Sequence, residues 1–257
     1  MSRLAALLLA ALVLVPASAG TSTTRPPLGL TAMPAHVALA GSSRATVRVT
    51  NPGRSPVVVD VGRAGFSLAL RGRPKIVARG DGRAASAWVT ARPARFVLAA
   101  GASRSVTVTS QLPRRIEPGD YDALVLLTTR PRRGAGVALR MRIGIVVVVR
   151  APGRIVRRLA LGRLRVRRHG GLRAIELDVA NRGNVTESLG RGDVRLTLRG
   201  GPAVTHLRAD PRDLRPRTGG VAQFRYRGPL QGWITATARI AVAPGRAPAL
   251  RTYRVKL

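Results

Sequence analysis

Three carboxylates crowd one tyrosine in the stretch EPGDYDALVLLTT, residues 117–129. Acids are scarce in this chain, 11 against 45 basic residues, so the clustering of Glu117, Asp120 and Asp122 asks for a reason. Carboxylates converging on a pocket could do general acid–base work. The spacing points elsewhere. In an extended strand Asp120 and Asp122 both lie on the face opposite Tyr121, and Glu117 sits beyond the Pro118-Gly119 turn. A calcium loop needs more oxygen ligands at regular spacing than this stretch offers. The pattern fits a tyrosine corner, in which a Tyr at a strand start bonds back to nearby backbone and pins the turn of a β-sandwich. Ala123, Val125 and Leu127 then point inward, and Leu124 and Leu126 outward.

The other residues able to do chemistry are dispersed. His36, His169 and His206 lie in different segments without metal-ligand spacing. No nucleophile elbow, phosphate-binding loop or dinucleotide fingerprint is present. Arg-Gly-Asp occurs at 79–81 and 191–193 in turn-like settings and reads as coincidence in an Arg/Gly-rich chain; Asn184-Val185-Thr186 fits an N-glycosylation acceptor. The expectation is a protein without catalytic residues, metal or cofactor.

What remains is arginine. Net charge is +34, and Lys75 and Lys256 are the only lysines. A GC-rich codon pool would place arginine at exposed positions by default. A field of this size would also attract an anionic polymer or phospholipid surface whatever its origin. The candidate anion-binding residues are Arg130, Arg132, Arg133, Arg140, Arg142, Arg157, Arg158, Arg163, Arg165 and Arg167, whose guanidinium forks suit phosphate or carboxylate. Nucleic acid is excluded as a partner by the scarcity of stacking aromatics, 3% of the chain, and by the export signal described next.

The elements that must position these residues are strands. Residues 1–19 read as a cleaved signal peptide, with Arg3 ahead of an apolar run and a small-residue cleavage site at 17–19. Residues 20–34 read as a Thr/Pro-rich leader, and no transmembrane helix is expected in the mature chain. Period-2 alternation then dominates, with Gly, Pro and Asn between the runs, as in an antiparallel sandwich. Val137, Leu139, Met141, Ile143, Ile145, Val147 and Val149 alternate without a break, and Val146 and Val148 make the opposite face apolar at the end. Leu124, Leu126, Val146 and Val148 form a candidate interface patch for a second domain or a partner. There is no cysteine, so export leads to no disulfide framework.

The pattern repeats. VRVTNPGRSP (47–56) matches LDVANRGNVT (177–186), FSLALRG (66–72) matches VRLTLRG (194–200), and the opening stretch is echoed by LQGWITATARIAV (230–242), with Trp233 in the place of Tyr121. This predicts an all-β chain of two tandem immunoglobulin-like sandwiches, over 35–150 and a smaller one over 151–257, with Tyr121 and Trp233 as corner residues.

In this order of features the chain resembles the WxL-interacting-protein family. That resemblance implies a secreted, cell-surface protein whose first domain binds peptidoglycan and whose second engages another surface protein. FVLAAGASRSVTV and the alternating 137–149 run are also similar to the N-terminal domain of pilus-type periplasmic chaperones, which implies strand addition to a client subunit. The sequence reading is an extracytoplasmic, envelope-associated binding protein that contacts peptidoglycan or an anionic polymer through arginine. Its alternative is an assembly chaperone using the 137–149 strand.

Overall fold

The computed structural model describes residues 29–72, 74–77, 83–130, 140–169, 172–190, 194–241 and 247–257. The signal segment 1–19, Arg132, Arg133, both Arg-Gly-Asp tripeptides and the start of the alternating run at Val137 lie outside them in whole or in part. Among the described residues every element is a strand. The first half contributes β1 (Thr31–Met33), β2 (His36–Ala40), β3 (Arg44–Thr50), β4 (Val57–Leu68), β5 (Pro74–Val77), β6 (Val89–Arg92), β7 (Arg95–Leu98), β8 (Ser103–Ser110), β9 (Gly119–Thr129) and β10 (Arg142–Ala151). The second contributes β11 (Leu159–His169), β12 (Leu172–Asn181), β13 (Glu187–Ser188), β14 (Val194–Gly200), β15 (Ala203–Arg208), β16 (Asp213–Leu214), β17 (Gly219–Tyr226), β18 (Trp233–Ile240) and β19 (Ala249–Lys256).

Each half is a sandwich built on the pleat. In the first, sheet β1-β3-β8-β6 faces sheet β2-β10-β9-β4-β5, with β7 also paired to β4. Alternate residues of the facing strands, among them Val47, Val49, Val106, Val108, Val125, Leu127, Ile145 and Val147, form one core. In the second, sheet β11-β12-β17 faces β15-β14-β18-β19, and Leu177, Leu196, Leu198, Phe224, Ala236 and Ile240 form another. β-branched and aliphatic side chains suit this half-buried pleated surface, and the short period leaves polar residues outside. The fold is the all-β pair of immunoglobulin-like sandwiches expected from the alternation.

One residue type shows the internal repeat directly. Asn51 and Asn181, at equivalent turns, are both buried at 2% exposure. Each donates from Nδ2 to the carbonyl four residues on, Ser55 and Val185 respectively, both at 2.8 Å. Each also accepts from the N–H two residues on, Gly53 at 3.0 Å and Gly183 at 2.9 Å. A second donation crosses to the strand behind, to Leu98 from Asn51 and to Leu214 from Asn181. The buried amide thus supplies the backbone bonds that a tight turn cannot make for itself.

Two expectations need correction. The first half begins ahead of residue 35, because Leu30 is buried in its core and Thr31–Met33 pair with β3. Pro34 breaks the pattern there and splits the segment between two sheets, which hides it in a Thr/Pro-rich stretch. Trp233 pins nothing: it is 61% exposed, and Ile234 points inward in its place. A one-residue slip in matching two strands moves every side chain to the other face. The phenol in the equivalent role is Tyr226, 2% exposed, whose Oη accepts from the Leu230 N–H at 2.7 Å.

Candidate functional site

The opening stretch starts β9, and the tyrosine corner is present. Tyr121 is buried, and its Oη donates to the Glu117 carbonyl at 3.0 Å. Trp88 packs against its ring with centroids 4.8 Å apart, and the Arg83 guanidinium lies over it at 4.9 Å. The three carboxylates leave the corner in three directions, and each meets arginine.

Asp120, fully buried, accepts a bidentate pair from Arg150 at 2.7 and 2.9 Å. That bond raises the Arg150 pKa above its ordinary value and outweighs the opposite effect of burial. Asp120 also reaches the second half: its Oδ2 accepts from the Thr186 N–H at 2.7 Å, and its own N–H donates to the Asn184 carbonyl at 2.8 Å. Gly119 makes that approach possible. Its φ is +122°, and a Cβ there would lie 2.1 Å from the Asn184 carbonyl oxygen. Asp122 accepts from Arg215 Nε of the second half, and Arg215 Nη1 donates to the Phe66 carbonyl at 2.9 Å. Glu117 Oε2 accepts from Arg83 and from Arg217, both at 3.0 Å. Arg217 has φ 56° and is the one non-glycine residue with positive φ among those described.

The acidic corner is therefore a joint between the halves. Beside it lies a cleft of about 500 Å³, lined by Arg83, Trp88, Arg115 and Glu117 from the first half and Pro216, Arg217 and Thr218 from the second. A second set of links lies at the far end of β4. Arg212 Nη1 and the Val221 N–H donate to the Leu70 carbonyl at 2.5 and 2.9 Å, and Arg71 pairs with Glu176 at 2.9 Å. Burial alone would raise the Glu176 pKa. The hydrogen bonds from Arg167 and Gln223, with the nearby charge of Arg71, reverse it and hold the carboxyl below its usual range.

The outward patch lies at this joint. Leu124 and Val148 are buried at 5% and 8% exposure, yet neither belongs to a sandwich core; Val148 stands directly opposite Asp122. Leu126 and Val146 are half-buried beside them. Among the described residues, Phe66, Val185 and Val221 are the other buried apolar residues outside both cores, and each adjoins one of the links just described.

The strand edge follows. β10 pairs with β9 along its whole length, Arg142 to Ala151. On its other side β2 runs parallel to it only opposite Val146–Arg150. The Val146 N–H donates to the Ala35 carbonyl on that side, so by alternation the backbone groups of Gly144 and Arg142 also point there. Among the described residues no strand meets them. Ile145 is buried in the core and Ile143 packs half-buried against it.

The arginines expected to bind an anionic polymer are not gathered in one place. Arg130 pairs with Asp60, Arg157 with Glu187, Arg165 with Asp178 and Arg167 with Glu176. Arg130 and Arg95 hold the Asp60 carboxyl below its ordinary pKa. Arg140, Arg142, Arg158 and Arg163 are exposed on different elements. The Arg150, Arg215 and Arg217 links escaped sequence reasoning, because nothing local ties those residues to acids up to 100 positions away.

No family model matches the chain, and no curated protein is significantly similar to it. Solved structures are. The class 5 fimbriae chaperone CfaA aligns with a TM-score of 0.51 at 12% identity, covering 89% of this chain and all of its own. The YadV chaperone aligns at 0.50 and 13% identity, covering 88% of this chain and 99% of its own. At such identities the likeness concerns the fold alone, two immunoglobulin-like sandwiches in tandem. It agrees with the second of the two resemblances drawn from the sequence and does not show the first.

Proposed function

We propose that this chain is an extracytoplasmic assembly chaperone that lends the uncovered half of β10 to a client protein's incomplete sheet. The observation that supports this reading most is the edge itself. β2 stops short of Arg142–Ile145, and two residues' worth of backbone donors and acceptors face outward beside the apolar Ile143. An uncovered edge is a template for a further strand, and proteins that do not use one usually blunt it. In the sequence the alternation continues upstream through Met141, Leu139 and Val137, which would lengthen the donated strand. The fold shared with CfaA and YadV supports the same reading, as does the signal-like segment 1–19. The outward patch around Leu124 and Val148 is then part of the joint that fixes the angle between the sandwiches. The envelope-polymer reading has less support, since several of its arginines already hold carboxylates of their own chain.

The test uses Arg142→Pro. The Arg142 N–H points to the open side at the first position of the strand, where proline removes the outward donor without a ladder bond to β9. Met141→Pro would be a poor choice, because the Met141 N–H donates to Thr129 Oγ1 at 2.9 Å within the fold. A photocrosslinker at the exposed position 140 is expected to trap a client in extracytoplasmic extract at roughly 0.1 M and 1 M salt alike, and Arg142→Pro in the same chain to abolish stable capture. Capture that disappears at high salt, or that is equally strong from a crosslinker at Arg163, would refute strand addition.

A further inference from the structure

The cleft beside the tyrosine corner has a lining that the joint itself does not require. One part of it is apolar. Trp88, one of two tryptophans in a chain with 3% aromatics, is half-buried there against the Tyr121 ring. Ile116, half-buried, and Pro216, buried, complete this part. The tryptophan is fixed through its backbone. Its N–H donates to the Ala85 carbonyl at 2.9 Å, and its carbonyl accepts from the Gln111 N–H at 2.9 Å.

The rest of the lining is cationic. Glu117 is the one carboxylate among the residues of the cleft, and its Oε2 already accepts from Arg83 and Arg217. Arg115, two residues before it, is exposed and holds no ion pair among the described residues. Arg217 reaches the cleft from the second half at φ 56°. Glycine takes that conformation freely and an arginine does not, and backbone outliers of this kind gather at ligand sites. The Thr218 hydroxyl, which donates to the Arg215 carbonyl at 2.8 Å, closes the turn that carries it.

An indole wall with guanidinium forks at its mouth matches a ligand that is flat and apolar at one end and anionic at the other. We propose that this cleft binds a small aromatic carboxylate. The ring lies against Trp88 and Ile116, and the carboxylate takes the forks of Arg115 and Arg217. A volume of about 500 Å³ falls in the range of small-molecule sites. A bare inorganic anion would make no use of the tryptophan wall, and a neutral ring would make none of Arg115. Because Trp88 and Arg115 belong to the first half and Arg217 to the second, the bound molecule also ties the halves together. The site adjoins β6, at the end of its sheet opposite β1, whereas β10 packs beside β1. It therefore stands or falls independently of strand addition at the β10 edge.

The probe is cinnamate, with cinnamamide as its neutral counterpart, titrated by calorimetry into the full chain. In a Trp233→Phe background Trp88 is the remaining tryptophan, so saturable quenching of its emission is expected to report the site. Cinnamate at ten times Kd is expected to raise Tm by about 3–6 °C. Arg115→Gln should weaken binding about ten-fold, the loss of one charge-assisted hydrogen bond. Arg114→Gln, an equal charge change at a neighbour that does not line the cleft, should leave it within about two-fold. Arg217→Gly keeps the turn, since glycine accepts its φ, and should also lose about ten-fold. Cinnamamide binding as tightly as cinnamate would reduce the cleft to an apolar patch and overturn the proposal. Inorganic phosphate displacing cinnamate at equal concentration would do the same by showing a bare cation cluster. Equal losses from Arg114→Gln and Arg115→Gln would assign binding to net charge and overturn it too, as would quenching that is absent or never saturates.

Discussion

Asp122 and Arg215 are 2% and 5% exposed, stand on opposite sides of the joint, and are 93 residues apart in sequence. Arg215 also donates to the Phe66 carbonyl and lies over the Phe66 ring at 5.0 Å. Replacing Arg215 with Met keeps most of the volume and removes the charge. Asp122 then stays buried without its guanidinium, and breaking a buried pair from one side costs about 3–5 kcal/mol. In a chain of this size each kcal/mol moves Tm by about 2–4 °C, so the expected fall is roughly 6–20 °C. Asp122→Leu combined with Arg215→Met should recover most of the loss, because an apolar pair of similar volume substitutes for a buried ion pair at little cost. The four proteins of this cycle, compared by thermal unfolding in circular dichroism, should give a coupling of about 2–3 kcal/mol. Because the pair ties two separate cores, Arg215→Met should also split a single transition into two. A Tm within about 2 °C of the parent, or a coupling below roughly 0.5 kcal/mol, would show that the halves do not depend on this link.

Three further outcomes follow from the same geometry. Tyr121→Phe, which loses only the bond to the Glu117 carbonyl, should cost about 1 kcal/mol in urea unfolding, whereas Trp233→Ala at an exposed position should stay within about 0.5 kcal/mol of the parent. Glu176→Gln should destabilise near neutral pH and cease to differ in strong acid. The Glu176 carboxyl has a folded pKa below its unfolded value of about 4.3, so its ionised form stabilises above that pH and the contribution is lost as pH falls through the folded pKa. Gly119→Ala should loosen the joint while leaving both sandwiches folded, since its Cβ would displace the Asn184 carbonyl. Small-angle scattering should show an expanded particle with unchanged far-UV dichroism, and an unexpanded one would refute the close-packing argument.

The fold was legible because its information is local. Alternation in RATVRVT and ALVLLTT names the buried face of a strand whatever lies across from it, and Asn-x-Gly at 51–53 and 181–183 marks two equivalent turns. The tyrosine corner was legible for the same reason, its two partners being four residues apart. The joint was legible only from one side. Leu124 and Val148 announce themselves as apolar residues on an outward face, but their surroundings depend on which arginine of some forty meets which of eleven acids, and pattern alone does not fix that. Trp233 shows how narrow the margin is: a repeat matched one residue out of step keeps the strand and reverses its faces.

Five of the eleven acids, Glu117, Asp120, Asp122, Glu176 and Asp213, lie where one half touches the other; Asp213 sits 3.8 Å from His36. Two strongly cationic bodies held side by side repel, and this placement puts nearly half of the available counter-charge in the gap between them. The joint is thus a neutralising seam. Its strength should depend on salt in two opposing ways, as screening weakens the bridging pairs at its rim while also relieving the mutual repulsion that they work against.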